Sequence, residues 1–184
     1  MKIILASQSP RRKELLKNLG YDFTAVSLNT DEDYPPELKA QEITEFLAKK
    51  KSLHFGRVAE NTVVITADTI VWLDGEALGK PETEKDAKKM LRNLSGKTHY
   101  VYTSVGFTTS VDFQVFTDTA EVYFSELSEE EIEFYVQNFN VLDKAGAYGI
   151  QDWIGLAKID RIKGSYFTIM GFPTHLVYKY LNSL

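Results

Sequence analysis

The sequence contains no cysteine. Disulfide bonds, thiol nucleophiles and cysteine-based metal sites are therefore excluded. Histidine is also scarce, and the three histidines show no spacing typical of metal ligands, so we interpret them as surface or packing residues. No histidine–aspartate relay is evident for a serine nucleophile either. The chemistry of this chain is left to its carboxylates, hydroxyls, lysines and arginines.

Long apolar runs and an excess of positive charge are both absent. No segment approaches the length of a transmembrane helix, and Met1-Lys2 is followed by only four apolar residues, too few for a signal-peptide core. We therefore expect a cytoplasmic protein with no membrane partner. Twenty-one Lys and Arg against 26 Asp and Glu give a net charge of −5, so we expect no nucleic acid polymer as a partner either.

The length and the pattern of the chain predict a single α/β domain. With 184 residues and 43% hydrophobic content, residues 1–184 can bury one core. Strand-like and helix-like segments alternate, which is typical of an α/β fold. The segments 98–110 and 113–124 alternate strongly and predict a long antiparallel hairpin, so we expect a mixed β-sheet with flanking helices. Further along, residues 154–162 predict a strand.

Three helices are predicted from periodicity and capping signals. Residues 37–55 have helical periodicity, and the expected apolar face is formed by Ile43, Phe46, Leu47 and Leu53. Thr83 with Asp86, and Ser128 with Glu131, resemble capping boxes that begin two further helices.

The first turn of the chain has the composition of a phosphate-binding site. An apolar strand at residues 3–6 precedes a serine-rich turn, and Pro10 is well placed to open a helix because its fixed φ suits the first helical position. Ser9 is the expected N-cap. Ser7, Ser9 and two arginines, Arg11 and Arg12, thus surround the amides of a helix N-terminus, an arrangement that binds phosphate.

Asp68 interrupts a nearly continuous apolar run at residues 62–73. A carboxylate inside a buried strand is costly unless it is paired or binds a metal. One interpretation is an aspartate that caps a turn at the end of the strand. The other is a site carboxylate that shares a divalent cation such as Mg²⁺ with Glu32, since Mg²⁺ usually takes one or two carboxylates together with phosphate oxygens and water.

The basic residues are clustered, although the chain as a whole is acidic. Arg11, Arg12, Lys51 and Lys80 are candidates to neutralise a polyphosphate. For the run 49–51 the alternative is a solvated helix face. Acids and bases in one chain together indicate metal-assisted phosphoryl chemistry, because carboxylates beside a polyphosphate need a cation between them.

A glycine-rich stretch at residues 143–151 lacks the spacing of a dinucleotide-binding fingerprint. Tyr148 and Trp153 offer aromatic rings that either stack on a base or pack in the core. Asp143 is open to interpretation as a turn residue or as a site acid.

Six motifs in this order resemble the Maf nucleoside triphosphate pyrophosphatases, and together they cover the whole chain. They are Ser7-x-Ser9-Pro10-Arg11-Arg12-x-Glu14-Leu15-Leu16, Ala67-Asp68-Thr69, Gly79-Lys80-Pro81, Leu94-Ser95-Gly96, Asp143-Lys144-Ala145-Gly146-Ala147-Tyr148-Gly149-Ile150-Gln151 and Gly164-Ser165-Tyr166.

The resemblance implies a fold like that of the inosine-triphosphate pyrophosphatases, with an elongated mixed sheet and two lobes around a cleft. It implies hydrolysis of a nucleoside triphosphate to the monophosphate and pyrophosphate with a divalent metal, Mg²⁺ or Mn²⁺, and it suggests a homodimer. Asp68 matches the family's proton acceptor. Arg12, Thr69 and Gln151 match the positions that mark the subgroup acting on dTTP and UTP.

A pyrimidine preference agrees with the chemistry of glutamine. Uracil and thymine present an acceptor, a donor and an acceptor along one edge, and an amide pairs with an adjacent donor and acceptor. Cytosine changes that pattern and leaves polar groups unpaired. Two departures from the family pattern stand out: Asp152 replaces a usual glycine beside Gln151, and residues 168–173 replace the usual Asn-Val-Val-Gly-Leu-Pro.

Two other functions stay open at this point. One is a nucleotide-binding regulator of cell division that uses the same pocket without needing turnover. The other is a phosphatase that releases orthophosphate. The identity of the product, if there is one, separates all three.

Overall fold

The computed structural model describes residues 1–184, with seven strands, seven α-helices and one short 3-10 helix at Ala145–Ala147. The strands are β1 (Lys2–Ala6), β2 (Thr24–Val26), β3 (Thr62–Leu73), β4 (Glu76–Leu78), β5 (Thr98–Thr108), β6 (Phe113–Phe124) and β7 (Ile159–Lys163). The helices are α1 (Pro10–Asn18), α2 (Gln41–Phe55), α3 (Glu84–Leu94), α4 (Glu129–Asn138), α5 (Trp153–Ala157), α6 (Tyr166–Ile169) and α7 (Thr174–Leu181). No helix is both long and apolar enough to cross a membrane.

The strands form one mixed sheet in the order β2-β1-β3-β5-β6-β7, with β4 paired to β3. Strand β1 runs parallel to both β2 and β3, whereas β4 and β7 run antiparallel to their neighbours. Strands β5 and β6 are adjacent, and the amide of Thr109 donates to the carbonyl of Asp112 (3.0 Å) in the turn that joins them. The predicted α/β fold with a mixed sheet is confirmed.

The chain divides into two compact units. The first comprises Met1–Asp68, Thr103–Asp118 and Gly171–Leu184, and the second comprises Thr69–Tyr102 and Thr119–Met170. The division falls inside β3, β5 and β6. A single domain over residues 1–184 stays a prediction.

The first unit is built on β1, β3 and α2. The side chains of Leu5, Ile43 and Ile65 are wholly buried, and Phe107 stacks on Tyr180 with 3.9 Å between ring centroids. Burial of this apolar surface is the main term that holds α2 against the strands.

The second unit has its core around helices α3 and α4, where Leu91, Tyr135 and Ile154 are fully buried. Both helices begin at the predicted capping boxes. The hydroxyls of Thr83 and Ser128 each accept from the backbone amide of the third residue of their helix, and the carboxylate of that residue accepts from the amide of the cap residue. Local sequence alone fixes these two starts.

Helix α2 differs from the prediction in its start and in its buried face. It begins at Gln41 rather than at residue 37, because Ala40 has a φ of 50° that interrupts any earlier turn. Of the apolar side chains expected to pack, Leu53 is 72% exposed and Phe46 is 37% exposed. The helix instead buries small and polar residues beside Ile43 and Leu47, namely Thr44, Ala48 and Ser52.

The strand predicted at residues 154–162 is wrong for its first half. Trp153–Ala157 forms the short helix α5, and β7 begins only at Ile159. In a strand, Ile154 and Leu156 would lie on the same face, but Leu156 is 85% exposed while Ile154 is buried. Gly155 makes the tight helical turn, since a Cβ there would lie 1.7 Å from the carbonyl oxygen of Ile150.

Candidate active site

The turn between β1 and α1 has the predicted helix N-terminus. The hydroxyl of Ser9 caps α1 by accepting from the amide of Arg12 (3.4 Å), and Pro10 takes the first helical position. Ser7 is buried, and its Oγ accepts from the amide of Ser9 (3.2 Å). The two hydroxyls therefore stabilise the turn that leads into α1.

Arg12 binds backbone carbonyls on both sides of its guanidinium. Its Nε donates to the carbonyl of Gly171 (2.8 Å) and its Nη1 to the carbonyl of Ala67 (2.9 Å), the residue before Asp68. Burial lowers the pKa of Arg12 and the charge of Arg11 lowers it further, whereas the charge of Asp68 opposes both. Arg12 thus holds the strand in place beside Asp68, a contact that sequence patterns do not reveal.

Asp68 lies in β3 and is only 5% exposed. Burial raises the pKa of its carboxyl, while the charge and the hydrogen bond of Lys51 pull that pKa back down. The interpretation of Asp68 as a turn cap is therefore wrong, because Asp68 is inside the strand and paired with a lysine. A buried carboxylate with a raised pKa is suited to accept a proton.

The meeting of Asp68 and Lys51 follows from the register between β3 and α2. The hydroxyl of Thr66 donates to the carbonyl of Ala48 (2.9 Å), which ties strand to helix. Asp68 lies two residues beyond Thr66 on the same face of the strand, and Lys51 lies three residues beyond Ala48 on the same side of the helix. The hydrogen bond between Thr66 and Ala48 thus places Asp68 opposite Lys51.

Glu32 approaches the same lysine from the acidic segment that precedes α2. Its Oε1 is 3.4 Å from Nζ of Lys51, which also binds Oδ1 of Asp68. We call Asp68, Lys51 and Glu32 the Asp68 cluster. The neighbouring Lys50 binds the carboxylate of Asp31 and the carbonyl of Asp33, so it anchors the segment that carries Glu32.

Lys50 is not among the predicted site residues. The sequence does contain a signal for it, because the basic run 49–51 is matched by the acidic run 31–33. The run 49–51 is not simply a solvated helix face, because the side chain of Lys51 is only 14% exposed. Lys49, by contrast, is exposed as that interpretation expected.

The Asp68 cluster contains two carboxylates of the kind that bind a hard divalent cation. Two carboxylates, from Asp68 and Glu32, converge on one ammonium group. No group of three or more histidine, aspartate or glutamate side chains is placed to hold a metal. Magnesium is commonly bound by one or two carboxylates with the remaining positions filled by phosphate oxygens and water, so the cluster fits this kind of cation.

The remaining predicted residues, Thr69, Lys80 and Gln151, belong to the second unit. Thr69 follows Asp68 directly in β3, and Lys80 is exposed just after β4. The carbonyl of Gly79 accepts from the amide of Gly146 (3.0 Å), so the Lys80 segment is bound to the glycine-rich stretch that leads to Gln151. Gln151 is exposed.

Tyr148, in the glycine-rich stretch, does not offer its ring for stacking on a nucleobase. Its ring is buried, and its hydroxyl lies 2.7 Å from Nε2 of His99 in the core of the second unit. Burial lowers the pKa of His99 to about 3, so this histidine is neutral. The prediction that the histidines pack or lie at the surface is confirmed, with His99 buried and His54 and His175 exposed.

Comparison with known families gives this arrangement its context. The model of the Maf-like protein family matches residues 2–184. The chain belongs to the Maf family. The predicted membership of this family is therefore confirmed.

Curated Maf relatives are similar along their whole length. A protein of Flavobacterium johnsoniae is 48% identical over 184 residues, which is 100% of this chain and 95% of that protein. One of Bacteroides thetaiotaomicron is 48% identical over 99% of this chain and 95% of its own. One of Flavobacterium psychrophilum is 49% identical over 98% of this chain and 93% of its own. All three are named dTTP/UTP pyrophosphatase.

Solved structures extend the likeness of the fold beyond the Maf family. The Ham1 protein of Staphylococcus aureus superposes with a TM-score of 0.56 at 15% identity, and that of Coxiella burnetii with 0.56 at 12%. The alignments cover all of this chain and 99% and 100% of the other two. At these identities the likeness concerns the fold alone.

Proposed function

We propose that this Maf protein is a nucleoside triphosphate pyrophosphatase that hydrolyses dTTP and UTP to the monophosphate and pyrophosphate. The observation that carries the proposal is the Asp68 cluster, in which the acid that matches the family's proton acceptor is buried beside a lysine and a second carboxylate. Support from similarity comes from full-length relatives named dTTP/UTP pyrophosphatase. A modified pyrimidine nucleotide stays open as a further substrate.

Asp68 is the proposed base. Its carboxylate takes a proton from the attacking water, the water oxygen bonds to the α-phosphorus as the α–β phosphoanhydride bond breaks, and pyrophosphate leaves. A positioned base of this kind contributes about 10²- to 10⁴-fold to a rate. Burial of Asp68 favours the task because it makes the carboxylate more basic than an exposed aspartate.

The cations of the site stabilise the triphosphate. Lys51, Arg11 and Lys80 supply positive charge, while Ser7 and Ser9 shape the turn whose amides donate at the start of α1. Lys51 contacts two carboxylates and has three N–H donors, so it can lend one donor to phosphate without becoming an isolated charge.

Asp68 and Glu32 are the residues that would hold a divalent cation, Mg²⁺ or Mn²⁺. When bound, such a cation supplies charge neutralisation and polarises phosphate oxygens. The contribution of the chain is the pair of carboxylates that Lys51 and Lys50 keep in position.

We assign recognition of the nucleobase to Arg12, Thr69 and Gln151. A glutamine amide offers one donor and one acceptor to the edge of uracil or thymine, and a site built on such a pair rejects bases with a different pattern.

A homodimer stays a prediction, which sedimentation would test.

A product assay tests the proposed function. The purified protein is incubated with dTTP, UTP, CTP and GTP in the presence of Mg²⁺ or Mn²⁺, and pyrophosphate and orthophosphate are measured separately. We expect pyrophosphate equal to the monophosphate formed, from dTTP and UTP first. Orthophosphate as the primary product would identify a phosphatase. Tight binding without any product, also from modified pyrimidine nucleotides, would support a regulator instead.

A further inference from the structure

Gln151 is part of a four-residue turn whose ends are held together twice. The amide of Asp152 donates to the carbonyl of Gly149 (3.1 Å), which closes Gly149–Asp152 as a β-turn. Within this Gln151 turn, Ile150 is 7% exposed and Gln151 is exposed. The turn therefore buries one central side chain and presents the next.

A side-chain bridge through Tyr135 makes the second closure. The hydroxyl of Tyr135 accepts from the amide of Gly149 (3.0 Å) and donates to Oδ2 of Asp152 (2.8 Å). Tyr135 is fully buried in α4, and burial raises the pKa of its hydroxyl far above the usual range, so the proton that it donates is always present. Both ends of the turn thus bind one fixed atom of the core.

Lys144 supports the carboxylate of Asp152 from the other side. Its Nζ lies 3.5 Å from Oδ2 of Asp152 and 3.1 Å from Oδ1 of Asp143, and it also binds the carbonyl of Asn140. The Lys144 side chain is only 9% exposed, so its charge is little screened by solvent. Asp152 is therefore neutralised where it binds Tyr135.

Gly149 packs closely on Asp152 and Lys144 and leaves no room for a side chain. A Cβ on Gly149 would lie 2.7 Å from Oδ2 of Asp152 and 2.8 Å from Cε of Lys144. Asp152 occupies the N-cap position of α5 but makes no side-chain capping bond there. Its carboxylate serves the turn and not the helix, which is unusual for an aspartate in that position.

We propose that Tyr135 and Asp152 are positioning residues for base recognition, and that they hold the Gln151 turn in the conformation that presents the Gln151 amide to a pyrimidine. The proposal rests on the proposed function. Neither residue has to touch substrate, because the bridge acts on the backbone at the two ends of the turn. A loosened turn leaves Gln151 present but badly aimed, and small misplacements of a binding group are costly.

Tyr135→Phe tests this directly, because it removes only the bridging hydroxyl. We expect the ratio of kcat/KM for UTP to kcat/KM for CTP to fall about tenfold, mostly through KM for UTP, as expected when binding contacts are lost. Tyr123→Phe is the matched control, since Tyr123 donates to Glu121 over 2.7 Å in the same unit. That control should keep the wild-type ratio.

Two more variants keep the test decisive if Tyr135→Phe is unstable. Asp152→Ala should lower the ratio as much, whereas Asp152→Asn keeps an acceptor for Tyr135 and should restore most of it. In a Gln151→Ala background, Tyr135→Phe should have no further effect on the ratio. A ratio for Tyr135→Phe and Asp152→Ala equal to that of Tyr123→Phe would overturn the inference. A wild-type protein with no preference for UTP would instead overturn the proposed function.

Discussion

The Asp68 cluster and the Gln151 turn are built in opposite ways. In the Asp68 cluster the groups proposed to act are themselves ions bound to one another, with Asp68 and Lys51 largely shielded from solvent and Glu32 exposed. In the Gln151 turn the functional amide is neutral and exposed, and the ions, Asp152 and Lys144, lie behind it as support. Under the proposed function, the charged groups of the Asp68 cluster take part in the chemistry, whereas those of the Gln151 turn hold its geometry. Changes in the first should alter turnover, and changes in the second should alter discrimination.

The largest effect is expected from Asp68→Asn, which removes the proposed base and keeps its shape. Pyrophosphate release should fall by about 10²- to 10⁴-fold on every nucleotide, while the UTP-to-CTP ratio stays as in the wild type. Steady-state kinetics on both nucleotides measure this. Asp22→Asn, at an exposed aspartate of the same unit, is the control. Wild-type turnover in Asp68→Asn would remove the cluster from the chemistry.

Gln151→Ala should have the next largest effect, and only on discrimination. Loss of the amide leaves the pyrimidine edge unpaired, so kcat/KM for UTP should fall by about 10- to 100-fold, in line with about 1–3 kcal/mol for an unsatisfied buried polar group. Turnover of CTP should not change. Gln137→Ala, at an exposed glutamine of α4, controls for the substitution itself. Equal losses on UTP and CTP would show that Gln151 does not read the base.

The pH dependence of kcat/KM tests how Lys51 affects the charge of Asp68. Burial raises the pKa of Asp68 and Lys51 opposes that rise, so Lys51→Met should raise the pKa further. A base works only when ionised, and the rate is therefore lost as pH falls through its pKa. The acid limb of kcat/KM should move to higher pH in Lys51→Met, whatever the loss in amplitude. Lys49→Met, at the exposed lysine two residues away, should leave the limb in place.

The smallest effect is expected from Thr66→Val, which removes the tie between β3 and α2. The lost hydrogen bond to the Ala48 carbonyl should cost about 1 kcal/mol of stability, and somewhat more if that carbonyl stays unpaired. Turnover should fall by a few fold as Lys51 loses its register with Asp68. Denaturant unfolding and kinetics measure the two effects. Thr62→Val lies at the start of the same strand, where its hydroxyl makes only an exposed contact (3.4 Å), and should change neither.

The parts of the fold that sequence predicted well are those that local chemistry decides. Ser9 and Pro10 start α1 as expected, and the two capping boxes start α3 and α4, because the residues that bind are within three positions of each other. The buried face of α2 was missed for the opposite reason. Thr44 and Ser52 are buried through hydroxyl partners on β5, Ser104 and Thr108, which no local pattern displays.

The candidate site shows the same division. Asp68, Arg12 and Gln151, which are proposed to act on substrate, lie in motifs, so the resemblance could propose them from the sequence. Supporting residues such as Lys50 and Tyr135 lie outside these motifs. Lys50 belongs to a basic run that the sequence displays, whereas the contact of Tyr135 with the Gln151 turn exists only in the folded chain. Asp152 looked in the sequence like a departure beside Gln151, and in the structure it closes the turn.

The most direct measurement is a crossed comparison of Asp68→Asn and Gln151→Ala on UTP and CTP, with pyrophosphate as the product followed. The account predicts that Asp68→Asn lowers kcat/KM by the same factor on both nucleotides and that Gln151→Ala lowers it on UTP alone. If the two variants lost activity in the same pattern, whether equally on both nucleotides or selectively on UTP, the separation of chemistry from recognition would be contradicted.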